Sequence, residues 1–151
     1  MREEYLLAAL RMGAGADPVP DAVSAASRAA FALRLPGGVA AAPVDVPVPP
    51  GARSDGLEDG GPRLRRFTAS GLTIDVETSV SDGLLEVAGQ IGPAPVAVAS
   101  VEVRTPHMSN SRVPSRDGRF AVAGLPPGWF SVVCHRSGEP PVFTRWIHVR
   151  P

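Results

Sequence analysis

Hydrophobic and polar residues alternate along the second half of the chain, most clearly after Asp117-Gly118. That dipeptide is typical of a tight turn because both residues tolerate positive φ. Phe120 and Val122 then recur at the period of a strand. The Pro/Gly-rich residues 124–128 end this strand, because proline cannot donate to a sheet ladder. Residues 129–135 resume the alternation, so the pattern predicts two consecutive strands.

The same pattern extends back to Leu64. Short alternating runs are separated by turns rich in Gly, Pro, Asp and Ser. The predicted strands are 64–69, 72–78, 84–91, 96–104, 118–123, 129–135 and 142–149. Seven short strands of this kind favour a sandwich over an open sheet. The fold class is therefore predicted as mainly β, with a seven-stranded β-sandwich domain over residues 63–151.

The amino-terminal segment, residues 1–35, has helical spacing instead. Residues 3–12 form the first predicted helix, with Leu6, Leu7 and Leu10 on one side. A second helix is predicted after Asp21. Its narrow apolar face consists of Val23, Ala26, Ala30 and Leu33, with Phe31 at the edge. Two short amphipathic helices are marginal alone in water, so we expect them to pack on another surface.

Residues 36–62 are predicted as a Pro/Gly-rich linker between the helices and the sandwich. The prolines between Pro43 and Pro50 favour an extended, polyproline-like chain. Val44, Val46 and Val48 alternate, which leaves an edge strand as the alternative.

Charge and hydropathy exclude several classes of partner. The chain carries 15 basic and 15 acidic residues, a formal net charge of zero. This balance argues against a general affinity for nucleic acid or an anionic membrane. The first 15 residues do not resemble a secretory signal, and no apolar run is long enough to span a bilayer. We therefore expect a cytoplasmic protein.

Cysteine and histidine give no clear catalytic or metal-binding motif. Cys134 is the single cysteine, and His135 follows it directly. Adjacent side chains on a strand leave opposite faces, so the two residues cannot form a nucleophile–base pair. Cys134 is predicted as a core residue. His107 and His148 complete the histidines, at spacings that match no compact metal motif. No catalytic residue, metal or cofactor is predicted.

Carboxylates give a weaker signal. Asp75 and Glu77 fall on one face of a predicted strand, with Asp82 and Glu86 nearby. Paired carboxylates serve acid–base catalysis or calcium binding. Here they alternate with apolar residues, which indicates a solvated outer face.

Partner contact is the function that the remaining residues favour. The densest basic cluster is Arg63, Arg65 and Arg66, and arginine suits carboxylate or phosphate. Trp129 points away from the core-facing residues, as at an interface or beneath the amino-terminal helices. The predicted partner-binding residues are Leu6, Leu10, Val23, Phe31, Arg65, Arg66 and Trp129.

Residues 84–149 resemble the carboxypeptidase regulatory-like (transthyretin-like) β-sandwich. The matching motifs are Val87-Ala88-Gly89-Gln90-Ile91, Ala99-Ser100-Val101-Glu102-Val103, Gly118-Arg119-Phe120 and Leu125-Pro126-Pro127-Gly128-Trp129-Phe130. Pro114-Ser115 stands where that family usually has Thr-Asp. The resemblance implies an appended or binding domain without catalytic residues of its own.

The amino-terminal segment is similar to the start of short actinobacterial proteins found alongside sigma factors. The resemblance rests on Leu6-Leu7-Ala8-Ala9-Leu10, Asp17–Val23 and Ala29-Ala30-Phe31, together with Cys134-His135 and Thr144-Arg145-Trp146. It implies a role in sigma-factor regulation. Residues 36–48 depart from that pattern, because they are Pro/Ala-rich where acidic, strand-like residues are expected.

The sequence thus predicts a non-enzymatic interaction or regulatory protein whose partner is another protein, with a transcription regulator as one possibility. Two alternatives stay open. One is a metal- or carboxylate-dependent hydrolase built on the sandwich, for which His107, His135 or Glu77 would be essential. The other is a carbohydrate- or surface-binding module of a secreted protein.

Overall fold

The computed structural model describes residues 3–47 and 63–151, except for the side chain of Arg63. Within it the chain divides into two compact units, with the boundary between Arg34 and Leu35. We call them the helical unit and the sandwich unit. The fold class is mainly β with two helices, as the sequence predicts.

The helical unit contains α1 (Glu3–Ala16) and α2 (Asp21–Ala32). Helix α1 continues past Gly13, where the sequence predicts its end, and the Asp17 amide donates to the Gly13 carbonyl at 3.1 Å. Helix α2 begins after Pro20, whose carbonyl accepts from the next turn. Neither helix has a buried residue.

The sandwich unit is built from short strands in two sheets. In chain order they are β1 (Val39–Ala40), β2 (Ala42–Val44), β3 (Arg63–Ala69), β4 (Leu72–Ser81), β5 (Leu84–Gly92), β6 (Ser100–Arg104), β7 (Ser109–Arg112), β8 (Arg119–Leu125), β9 (Gly128–Arg136), β10 (Glu139–Phe143) and β11 (Ile147–Val149). Sheet A has the order β1-β10-β9-β6-β7, and β11 also pairs with β9. Sheet B has the order β2-β3-β4-β5-β8. Described strands pair antiparallel, apart from β1 beside β10.

One hydrophobic core lies between the sheets, which makes the arrangement sandwich-like. The residues that the alternation predicts to face inward are buried on both sides. The largest fully buried side chains are Phe67, Phe130, Ile74, Leu85, Ile91, Leu125, Val76, Val87, Val101, Val103, Val122 and Val132. The alternation along these strands therefore determines the core.

The structure differs from the sequence prediction at the start of the predicted linker. Val39–Ala40 pairs with β10 in sheet A, and Ala42–Val44 pairs with β3 in sheet B. Ala41, between them, is buried. These residues pass from one sheet to the other along one side of the sandwich. Of the alternating valines of the edge-strand alternative, Val44 lies in β2, Val46 lies outside any strand, and Val48 falls within residues 48–62, which lie outside the described residues.

Each of the seven predicted strands has a counterpart, with shifted ends. The run predicted at 96–104 is a strand only from Ser100. The run predicted at 142–149 is interrupted because Thr144 turns toward β9. Its amide donates to the Val132 carbonyl at 2.9 Å, and its hydroxyl accepts from the Val132 amide at 3.0 Å. Strand β7 was not predicted, because Ser-Asn-Ser-Arg has no apolar alternation.

Candidate functional site

The outer face of sheet B carries a row of polar side chains that crosses four strands. Arg66 on β3 lies opposite Asp75 on β4, Asp75 opposite Gln90 on β5, and Gln90 opposite Arg119 on β8. Residues directly opposite each other on one face lie about 5 Å apart. Antiparallel pairing thus assembles a site from residues far apart in sequence.

One end of this row is an ion pair. Arg66 donates from Nε to Asp75 Oδ1 at 2.7 Å and from Nη2 to Oδ2 at 2.8 Å, a bidentate geometry. The hydrogen bond and the charge of Asp75 raise the pKa of Arg66. The Asp75 carboxylate is therefore already occupied.

A shallow hollow of about 570 Å³ lies beside this row. Its floor is made by Ala88 and Ala121, which stand side by side on β5 and β8. Glu77 lies next to Ala88 on β4, in the same cross-strand line. The complete lining is Leu64, Asp75, Glu77, Ala88, Gly89, Gln90, Arg119, Phe120 and Ala121.

The hollow combines opposite charges at different positions. Glu77 is exposed and forms no ion pair among the described side chains. Arg119 lies on β8, two strands from Glu77, and is the residue before Ala121 on the same outer face. Gln90 is held by a hydrogen bond of 3.0 Å to the Asp117 carbonyl. The arrangement suits a ligand with a cationic group over the alanines and an anionic group near Arg119.

The predicted basic cluster is not a single surface. Arg66 belongs to the outer face, whereas Arg65 has the parity of Phe67, which is buried in the core. The side chain of Arg63 lies outside the described atoms. Neighbouring residues on a strand point to opposite faces, so Arg65 and Arg66 are not brought together.

Cys134 lies in the core, as predicted, and is fully buried. Burial raises the pKa of its thiol to about 12. His135 leaves the opposite face, where its Nε2 lies 2.8 Å from Glu102 Oε2. The structure thus separates the cysteine from the histidine, and the thiol is protonated at neutral pH.

The outer face of sheet A holds aromatic and basic side chains. The Arg104 guanidinium lies 5.0 Å from the centre of the Trp146 ring, and burial lowers the pKa of Arg104. Trp129 is 53% exposed, and its ring lies 4.8 Å from that of His148. Trp129 therefore points outward, as the alternation predicts.

Histidine and carboxylate side chains do not cluster as metal ligands. Within residues 3–47 and 63–151, no three of His, Cys, Asp and Glu come close enough to hold an ion. Asp82 lies in the turn between β4 and β5 with φ of 53°, and Glu86 lies on β5. The four carboxylates singled out in the sequence do not form one cluster.

The helical unit exposes the apolar residues that the sequence predicts to contact a partner. Leu6 is 51% exposed, Leu10 60%, Val23 51% and Phe31 67%. The Arg34 guanidinium lies 4.8 Å from the centre of the Phe31 ring. These exposed side chains are the candidate partner contacts of each helix.

Of the residues that line the hollow, the sequence singles out Asp75 and Glu77; the residues that it misses include Ala88, Gln90, Arg119 and Ala121. None has an unusual local pattern, and only the register of β4, β5 and β8 aligns them. Period-2 alternation does assign them to an outer face, so part of the signal was present.

Comparison with known proteins leaves these surfaces as the basis for function. No family model, curated protein or solved structure matches the chain. Neither of the described helices is long and apolar enough to cross a membrane.

Proposed function

We propose that the protein is a non-enzymatic interaction protein that binds another protein through its helical unit. The observation that carries the proposal is the exposure of large apolar side chains on α1 and α2, with Phe31 67% exposed. Several large apolar side chains exposed along a helix are typical of an interaction site. Short amphipathic helices commonly bind by inserting apolar anchors into a groove of the partner.

The sandwich unit serves in this proposal as a stable carrier. We propose that it is of the transthyretin-like type, on the motifs around Gly89 and the β8–β9 hairpin. A transcription regulator linked to a sigma factor is the partner that the amino-terminal resemblance favours. A cytoplasmic location is consistent with that partner.

A hydrolase has less support. The carboxylate of Asp75 is held by both donors of Arg66, so it is not poised as a base. Cys134 is buried and protonated, which excludes it as an accessible nucleophile. A carbohydrate-binding module would need a flat, exposed aromatic surface for a sugar ring. Trp129 is exposed, but its ring is tilted 54° against that of His148, so the two rings do not make one flat surface.

The test compares charged substitutions on two faces of the helices. Leu10→Asp and Phe31→Asp place a charge on the apolar faces, whereas Ala25→Asp adds the same charge to the other face of α2. Partners are cross-linked to the intact protein in its native cell and quantified by mass spectrometry. We expect the amount of cross-linked partner to fall at least about tenfold for the first two variants, because each replaces an apolar side chain that the partner would bury. We expect no fall for Ala25→Asp.

The melting temperature of the sandwich unit is measured in parallel by tryptophan fluorescence. Both tryptophans, Trp129 and Trp146, belong to that unit. We expect it to be unchanged in all three variants. A large loss of thermal stability with cross-linking retained would contradict the proposal, because the helices would then serve only to stabilise their own chain.

A further inference from the structure

We infer that the outer edge of β8, which pairs with no other strand among the described residues, binds, together with the hollow on sheet B, an extended peptide segment that carries a basic side chain. This site lies in the sandwich unit and is independent of the helical surface proposed above. The inference rests on the backbone groups of β8, on the other sheet edges and on the charges around the hollow.

The backbone of β8 has hydrogen-bonding groups that β5 does not use. The Ile91 amide donates to the Gly118 carbonyl at 2.9 Å, which sets the alternation of the β5–β8 ladder. Phe120 and Val122 therefore direct their N–H and C=O groups toward β5. Ala121 and Ala123 direct theirs to the outside.

The backbone N–H and C=O groups of Arg119 also point outward, and both already have hydrogen-bond partners. Its amide donates to Ser115 Oγ at 3.0 Å, and its carbonyl accepts from the Ser115 amide at 2.9 Å. This loop contact shows that the backbone N–H and C=O groups of Arg119, and by alternation those of Ala121, point away from β5. It also limits an added strand to the outward groups of Ala121 and Ala123.

Strand β8 differs from the other edges of the described sheets. Strands β1, β2 and β7 have two, three and four residues, and β2 contains Pro43. Strand β8 has seven residues, no proline and one charge, at its first residue. Proteins normally shorten edges or protect them with charge, proline or a bulge. The register shift between Val122 and Leu125 interrupts the far end of β8, and the segment between Arg119 and that shift has neither charge nor proline, so it can template strand addition.

The hollow lies where a side chain of the added strand would reach. Glu77, Ala88 and Ala121 form one cross-strand line from β4 to β8. A residue paired with Ala121 would lie about 14 Å from the backbone of Glu77, at three strand spacings. Only the methyl groups of Ala121 and Ala88 stand between them, so a long basic side chain can extend over Ala121 toward the Glu77 carboxylate.

The charges of this face define the side chain. Arg66 and Asp75 neutralise each other. Glu77 and Glu86 remain on the outward face of β4 and β5, so an arginine or lysine is favoured opposite Ala121. Ser115 occupies the outer side of Arg119, so the added strand ends beside Phe120 and no side chain is specified opposite Arg119.

The test uses a fluorescent six-residue peptide, Thr-Val-Thr-Val-Arg-Val, with the arginine opposite Ala121, and measures binding to the full chain by fluorescence anisotropy. Its matched control has glutamate in place of the arginine. We expect the first peptide to bind at least about tenfold more tightly, as for a charge-assisted contact. The variant Glu77→Gln should bind the arginine peptide and its control equally. A peptide with norleucine in place of the arginine should bind the unmodified protein and the Glu77→Gln variant equally.

The backbone contact is tested on the peptide, so that folding of the protein is not at risk. N-methylation of the arginine amide removes the donor to the Ala121 carbonyl and should abolish binding. N-methylation of the following valine, whose amide points away from β8, should have no effect. In the protein, Ala121→Pro should likewise abolish binding with the melting temperature retained, because that amide has no partner in β5.

Three results would overturn the inference. The first is equal binding of the glutamate control peptide, and the second is binding that N-methylation of the arginine leaves unchanged. The third is a concentration-dependent dimer in sedimentation that Ala121→Pro abolishes, in which case a second copy of the chain occupies the edge. The double variant Leu10→Asp/Phe31→Asp must bind the peptide normally, which separates this site from the helical surface.

Discussion

Gly118 is the position where a single methyl group should be most damaging. It follows Asp117 in the turn before β8 and has φ of +83°. A Cβ at this position would overlap the Ile91 carbonyl oxygen and lie 2.7 Å from Val96 Cγ2. The Gly118 carbonyl also accepts from the Ile91 amide. Both the backbone conformation and the close approach of β5 therefore require glycine.

Gly124 is a matched control for the substitution. It has φ of +77°, yet a Cβ there would have open space around it. Placing alanine in the left-handed region costs about 1–2 kcal/mol, and the stiffer unfolded chain returns about 0.4–1 kcal/mol. Gly124→Ala should therefore lower the free energy of unfolding by about 1 kcal/mol.

Gly118→Ala adds two further costs to this conformational strain. The Ile91–Gly118 hydrogen bond, worth about 0.5–1.5 kcal/mol, would be lost or lengthened. Moving β8 away from β5 disturbs the packing of Ile91, which is fully buried, and such overpacking costs about 1–3 kcal/mol. The total is about 3–5 kcal/mol, at least about 2 kcal/mol more than for Gly124→Ala.

The assay is thermal and urea unfolding followed by tryptophan fluorescence, which reports on the sandwich unit. At about 4 °C per kcal/mol for a domain of this size, Gly118→Ala should melt at least about 8 °C below Gly124→Ala. Equal melting temperatures for the two variants would refute the reasoning, because they would show that the contact with Ile91 imposes no constraint beyond φ.

Two further predictions concern the core and the edges. Burial raises the pKa of Cys134 to about 12 from 9.0, so the contribution of the thiol to stability is present below pH 9 and is lost as the pH rises from there toward 12. Cys134→Ala should cost about 1–2 kcal/mol, and its melting temperature should fall less steeply between pH 8 and 11 than that of the unmodified protein. Rapid reaction of the native protein with a thiol reagent would contradict this. A protein truncated to residues 63–151 lacks β1 and β2 and should melt at least about 10 °C below one that begins at Leu35, because it loses about 3 kcal/mol of edge hydrogen bonds; equal melting temperatures would show that these strands are dispensable.

The truncation also marks a limit of the sequence analysis. The sequence places the start of the sandwich domain at residue 63, whereas the compact unit begins at Leu35. Residues 39–44 contain three alanines and one proline, which have low strand propensity. They become strands because the edges of β10 and β3 are available for pairing. Such long-range pairing is absent from a local pattern.

Local alternation was sufficient for the central strands. Ile74 and Val76 alternate with Asp75 and Glu77, and the structure buries the first pair and turns the second outward. The same rule separates Cys134 from His135. It would also have separated Arg65 from Arg66, which the sequence analysis treated as one basic cluster. That error came from counting charges along the chain without applying the parity of the strand.

The candidate peptide site required information that no single strand contains. Parity assigns Glu77, Ala88 and Ala121 each to an outer face, but any of several registers would align other residues. The bulge between Leu85 and Val87 shifts the pairing of β5 with β8. A register extended from the Leu85–Leu125 pair would therefore place Ala121 opposite Gly89 instead of Ala88. A site made of one carboxylate and two methyl groups is therefore a property of the register, and Glu77 gains a candidate ligand only because the two alanines leave the route to the sheet edge open.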